Sequence, residues 1–345
     1  MQILNLHVTN FRNFSSKKFV FDPKLTVVVG QNGSGKSNML EAVGLLAATR
    51  AKKVDTDLDL VKFGQSEAKI EGYTKQNSEE EVKLTINLQV VDERLVRKAY
   101  FIDEIKKRLI DFTEHFSVIV FEPSDLDLIS GSPSERRHHL DILLSVLDRD
   151  YWRAISAYGK VVTRRNRVLQ RIQEGKAKKT ELDFWDERLL EHGGEVSRKR
   201  KEFFEFINFV NGEKGAYKWE LEESVLSDEK LERNRERDIA AGVTLSGPHR
   251  DDFKFLFRGK NLEYFGSRGE QRMSVLALKL SELELFNAKR GDRPILALDD
   301  IFSELDWEHR EAVLGVINKQ QTIITAAEPN SIPRKLAKTS KIIEL

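Results

Sequence analysis

At 345 residues and 40% hydrophobic content, the chain is long enough for one large or two modest domains around a real core. Its 57 basic and 56 acidic residues leave a net charge of +1, so bulk charge carries no signal for nucleic acid. The lack of cysteine excludes disulfides, thiolate metal sites and thiol catalysis, the seven histidines show no ligand spacing, and the longest apolar runs fall far short of the roughly 20 residues a membrane helix needs.

The opening segment, MQILNLHVTNFRNF, alternates apolar and polar residues and has neither the basic start nor the apolar block of a signal peptide. It reads as a strand of a cytoplasmic protein, and KKFVF and LTVVV continue the strand pattern. Next comes GQNGSGKS, formed by Gly30, Gln31, Asn32, Gly33, Ser34, Gly35, Lys36 and Ser37, which matches GxxxxGKS in full. An apolar strand precedes it, and the spacing predicts a helix from Lys36 to about Arg50. That context separates a phosphate loop from a chance glycine-rich turn. Its glycines let successive N–H groups converge on a β-phosphate at a helix N-terminus, Lys36 offers a point charge to the β- and γ-phosphates, and Ser37 is a candidate Mg²⁺ ligand. A nucleoside triphosphate with Mg²⁺ is the implied ligand.

AKIEGYT and EVKLTINLQVV then alternate with period 2. From Asp103 to Asp238 the composition turns charged and helix-forming, interrupted only by FSVIVF at 116–121. Strand and turn signals return with VTLSGPH, FKFLFRGK, PILALDD and QTIITAA. The pattern predicts a mixed α/β (α+β) fold: an ATPase lobe in two parts, 1–102 and 241–345, with a helical lobe inserted at 103–240. The run SDEKLERNRERD at 227–238 reads as a mobile connection or a solvated helix.

ILALDD, 295–300, is an apolar strand delivering two carboxylates at its C-terminal end. Asp299 is the candidate to hold Mg²⁺ through water, and Asp300 the candidate to polarise the attacking water. About thirty residues upstream, GSRGEQR opens a long apolar helical pattern. Spacing alone makes Ser267 an ordinary helix cap with glycines for geometry.

The order of phosphate loop, long insertion, Ser-x-Gly turn, acid-tipped strand and SELD resembles the ABC-type ATPase head. Within its SMC-like branch of DNA-repair ATPases it is similar to the RecF family of bacterial recombination mediators. The matching pieces are NFRNF, GQNGSGKSNMLEA, FEPSDLDLISGSPSERRHHLD, LSGPHRDDF, SRGEQR with LALKL, and LALDDIFSELD. The resemblance implies that two heads pack head to tail, with Ser267 and Gly269 of one capping the γ-phosphate bound by the other, and Asp306 at the same seam. It further implies an ATP-controlled homodimer that clamps DNA near single-strand gaps and acts as a weak, DNA-stimulated ATPase switch. Its implied roles are recombinase loading with RecR- and RecO-type mediators, replication-linked gap repair and SOS induction. Three positions depart from the broader pattern: Glu270 stands where Gln is more frequent, Asp300 where cassette ATPases carry Glu, and TIITAAEP has Thr325 and Glu328 but no switch histidine. No clear glutamine joins core to helical lobe; position points to Glu122 or Asp125.

On the helix expected at 152–172, Lys160, Arg164, Arg167 and Arg171 share one face, as phosphate contacts or as a solvated surface. Arg136 and Arg137 in SERRHH add cations. Other readings are a transporter-energising subunit, an SMC-type coiled-coil protein, for which about 230 residues between loop and signature are too few, and a defence-system ATPase sharing the head.

Overall fold

A computed structural model describes residues 1–47, 57–76, 80–92, 95–212, 216–304, 314–315, 317–328 and 332–345. It divides into two compact units, Met1–Asp125 with Leu278–Leu345, and Leu126–Ala277. The sequence pattern places its divisions at 102/103 and 240/241, whereas the units divide after Asp125 and after Ala277.

In chain order the first unit opens with β1 (Gln2–Phe11), β2 (Phe14–Val20), β3 (Leu25–Val29), α1 (Lys36–Leu46), β4 (Glu67–Lys75), β5 (Glu81–Asp92), β6 (Leu95–Ile102), β7 (Ile105–Lys107), the single-turn α2 (Leu109–Phe112) and β8 (Val118–Phe121). The second unit holds α3 (Asp127–Ser130), α4 (Pro133–Leu147), α5 (Arg149–Gln173), α6 (Glu181–Asn211), β9 (Tyr217–Glu222), α7 (Asp228–Ala241), β10 (Asp252–Phe257), β11 (Lys260–Asn261) and α8 (Leu262–Phe265). The unit boundary then falls within α9 (Arg268–Arg290). β12 (Ile295–Leu298), α10 (Ile301–Glu304), β13 (Thr322–Ala326), α11 (Arg334–Thr339) and β14 (Lys341–Glu344) complete the first unit.

Two sheets build the first unit. An antiparallel one runs β2-β1-β4-β5-β6-β7, and a parallel one runs β14-β3-β13-β12-β8. Burial in β4 alternates, with Ala68, Ile70, Gly72 and Thr74 inward, as expected of a sheet with one covered face. All five residues of β3 are buried, the pattern of a parallel strand covered on both sides. α1 buries Met39, Leu40, Ala42, Val43, Leu45 and Leu46 in a core shared with Ile3, Leu6 and Ile70. Gly72 lets the helix approach, since a Cβ there would sit 2.5 Å from Leu46 Cδ1.

In the second unit α5, α6 and α7 pack through Tyr158, Val161, Leu189 and Leu231. Three arginines organise its polar interior. Arg165, fully buried, bonds Asp186 at 2.6 Å, Asp238 at 2.7 Å and Thr244 at 2.9 Å, joining the three helices. Arg200 holds Asp251 and Asp141, each at 2.7 Å. Arg136 grips Asp252 with two nitrogens and donates to the carbonyl of Gly131 at 2.9 Å.

Two segments differ from the sequence pattern, and a third follows one of the two readings given for it. VTLSGPH is not a strand: its backbone N–H groups are taken by side chains, Thr244 by Asn166, Leu245 by Asp238 and Gly247 by Ser224, and Pro248 has no N–H to give. YKWELE, inside the stretch expected to be helical, is β9, paired with β10 through Trp219 and Phe255. The charged run is helix α7, capped by Ser227 and anchored by buried Leu231 and Asp238, so the solvated-helix reading holds.

Candidate nucleotide site

The loop Gly30–Ser37 joins the end of β3 to the start of α1. Gly30 N–H donates to Ala326 O at 3.3 Å, which ties the loop's entry to the end of β13. Ser34 N–H closes a turn onto Gln31 O at 3.1 Å, with Gly33 at φ 84. Gly35 has φ 108, and a Cβ there would stand 2.6 Å from the Phe14 ring, so only glycine fits. Asn32 and Ser37 are exposed. Lys36 Nζ donates to the carbonyls of Gly30 at 2.6 Å and Gln31 at 3.0 Å, across the mouth of the loop.

Three features fit a phosphate here. α1 has no side-chain cap and no acid in its first turn, so its N–H groups and positive dipole end face outward unneutralised. The Ser34 hydroxyl is buried without a hydrogen-bond partner. Ser37, on the first turn, offers a hydroxyl beside them. The hairpin between β1 and β2 braces the loop, with Arg12 bidentate on Glu41 of α1 at 2.6 and 2.7 Å, and Asn13 accepting from Asn38 at 2.9 Å.

Asp299 and Asp300 follow β12, and β13 lies between β12 and β3. Both acids therefore lie at the same C-terminal sheet edge as the loop. Asp299 is nearly buried and Asp300 adopts φ 51. Thr325, fully buried at the end of β13, donates to Asp299 Oδ1 at 2.6 Å and accepts the Asp300 backbone N–H at 3.0 Å. Sequence reasoning located Thr325 but gave it no role; a hydroxyl amid an apolar strand was the available signal. Asp125 is buried, accepts the N–H of Glu122 at 2.9 Å and lies 3.4 Å from the buried Lys279, so its carboxylate is committed inside the first unit.

Ser267 and Gly269 belong to the second unit and open α9; both are exposed, and a Cβ at Gly269 would meet open space. Ser267 and Glu270 form a reciprocal cap: the Ser267 N–H and hydroxyl each donate to Glu270 Oε2 at 2.8 Å, and the Glu270 N–H donates to Ser267 Oγ at 3.3 Å. These bonds hold the Glu270 carboxyl below its ordinary range. The S-x-x-E spacing was the missed signal, and Ser132 with Glu135 repeats it at α4. Asp306 lies outside the described residues.

Lys160, Arg164, Arg167 and Arg171 are exposed on α5, with Arg164 stacked 5.7 Å over Trp185. Arg136 is not available to DNA, because its guanidinium is spent inward on Asp252, and Arg137 donates to Asp251 O at 2.7 Å. The SPSERR and GPHRDDF blocks therefore meet each other and serve the core.

A phosphate loop and an acid-tipped strand on one parallel sheet edge, beside an antiparallel sheet, define an ATPase head of the SMC and ABC type. The model of the RecF/RecN/SMC N terminal domain family matches residues 2–343, and the chain belongs to the RecF family. The DNA replication and repair protein RecF of Moorella thermoacetica is 36% identical over all of this chain and 95% of its own length. That of Geobacillus thermodenitrificans is 33% identical over 99% and 97%. Among solved structures, the recombination mediator protein RecF-ATPrS in the RecFOR pathway superposes with a TM-score of 0.84 at 28% identity, over 96% of this chain and 94% of that one. The Smc head domain of Pyrococcus furiosus shares the fold, with a TM-score of 0.51 at 16% identity over 99% and 92%. No helix among the described residues is long and apolar enough to cross a membrane.

Proposed function

We propose that this chain is an ATP-dependent, DNA-binding recombination mediator of RecF type that works in the cytoplasm as a switch. The observation that carries this reading is the end-to-end match to RecF proteins in a chain whose phosphate loop and paired acids share one sheet edge. In this reading the N–H groups of Gly33 to Ser37 and the Lys36 ammonium take the β- and γ-phosphates. Ser37 and Asp299 would hold Mg²⁺, which supplies charge neutralisation at the phosphates, and Asp300 orients the attacking water. The short Asp300 side chain suits slow turnover.

Ser267 and Gly269 act on a second copy's γ-phosphate, so ATP closes a homodimer over DNA at single-strand gaps and duplex junctions. The exposed Tyr264 and Phe265 beside the turn support a seam there. RecR- and RecO-type proteins and the recombinase are the partners, with gap repair and SOS induction as the outcome. A transporter-energising role has no supporting observation, and the full-length likeness to RecF speaks against an unrelated defence ATPase.

The test is binding to gapped and intact duplex with ATP, ADP and no nucleotide, across salt. ATP-dependent binding that favours the gap is expected; binding indifferent to nucleotide sinks the clamp. Ser267→Arg keeps ATP binding and loses ATP-driven dimerisation.

A further inference from the structure

Glu270 sits where the reading above, on which this inference rests, brings a phosphate. Its Oε2 takes both the N–H and the hydroxyl of Ser267, the hydroxyl being the group assigned to the neighbour's γ-phosphate. A carboxylate at the start of α9 also interacts with the positive end of a long helix, as a phosphate would. Ser132 and Glu135 supply the contrast within the same unit. There Pro133 and Ser134 fill the intervening positions and the Ser132 hydroxyl also contacts Ser134 Oγ at 2.8 Å, so the motif does nothing but cap α4. At α9 the intervening residues are Arg268 and Gly269, and the turn is open to solvent.

We propose that Glu270 is a built-in competitor of the γ-phosphate, occupying the signature serine in the free chain and releasing it when a second copy presents ATP. Glu270 is half-buried, and its side chain is held by Ser267 at the helix end, so it can leave without breaking the core. Arg258, whose guanidinium lies over Phe257 and whose positive charge favours the ionised Glu270 carboxyl, is in this proposal the group that receives it. Tyr217 is the other titratable group that senses this carboxylate. The arrangement sets a threshold: nucleotide in trans must displace a carboxylate before the dimer closes.

Sedimentation velocity of the full chain with saturating ATP and Mg²⁺ tests this. Glu270→Gln, and in the same direction Glu270→Ala, is expected to dimerise at about ten-fold lower protein concentration, because the symmetric dimer contains the competition twice and each removal acts at a helix terminus. Arg258→Gln raises the concentration required in the native background and has no effect in Glu270→Gln. Unchanged or weakened dimerisation of both Glu270 variants overturns the proposal. Ser267→Arg separates the two failures: if it dimerises normally the trans role of the signature itself is wrong, whereas its loss alongside unaffected Glu270 variants removes only the competitor.

Discussion

Thr325 donates its hydroxyl to the Asp299 carboxylate across 2.6 Å and takes the Asp300 N–H on the same oxygen at 3.0 Å, so one buried side chain aims both acids. Thr325→Val keeps the volume and removes both bonds. It is expected to raise the Mg²⁺ concentration for half-maximal ATP binding by about ten- to a hundred-fold, the usual effect of losing a group that orients a metal ligand. Thr325→Ser restores it. Mg²⁺ titration of ATP-dependent thermal stabilisation reads this without turnover; a Val variant with native Mg²⁺ dependence would exclude the role.

Lys36 and Gly35 separate chemistry from geometry in the loop. Among the described residues Lys36 bonds loop carbonyls, so Lys36→Ala is expected to melt within a few degrees of the native chain while ATP affinity falls about ten- to a hundred-fold. Gly35→Ala meets Phe14 and holds φ 108, so it lowers the melting temperature as well as abolishing nucleotide binding. Fluorescent-nucleotide titration alongside thermal melts distinguishes them.

Cations on α5 and in α4 should respond differently to neutralisation. Gln at Lys160, Arg164, Arg167 or Arg171 is expected to leave stability unchanged and to lower the slope of log affinity against log salt by about 0.9 for each phosphate no longer neutralised. Arg136→Gln strips Asp252 of its partner and is expected to cost about 2–3 kcal/mol of stability. Urea melts and DNA titrations across salt read both; an Arg136 variant of native stability contradicts the inward assignment.

His249 gives the second unit an acid limit. Burial pushes its pKa below the ordinary 6.5, assisted by the charges of Arg250 and Arg137 against its bond to Thr244 O and the charge of Asp238. The ring accepts from Tyr158 and donates to Thr244 O, the neutral form. An unfolded chain takes up the proton first on acidification, so this contribution is complete above pH 6.5 and is lost as pH falls through the depressed value. His249→Gln should flatten the dependence of the urea midpoint between about pH 5 and 7.5. An unaltered slope would mean that His249 does not set it.

Much of the first unit was legible because its signals are local. GQNGSGKS carries its strand, turn and helix within twenty residues, and ILALDD shows its apolar strand and acids together. Less local facts were hidden. That Thr325 reaches Asp299 depends on β13 slotting between β12 and β3, a pairing no short window contains. Arg136 reads as a surface cation until Asp252, far along the chain, folds onto it. β9 escaped notice because charged residues line its exposed side while Trp219 alone is deeply buried. The cap formed by Ser267 and Glu270 is local, three residues apart, and so is legible in the spacing itself.

The position of β3 also dictates an order of assembly. Strands β1, β2, β4, β5, β6 and β7 pair among themselves and can zip as they leave the ribosome. Among the described residues β3 pairs with the strands formed by residues 322–326 and 341–344. The phosphate loop therefore hangs from a strand that lacks these hydrogen-bonded neighbours until residue 322 and beyond have been made, and such long-range parallel pairing is slow to close. Ordering of the loop in this way waits on residues far along the chain, and a product ending before residue 322 would carry an intact loop sequence without the strand pairing that holds it in place.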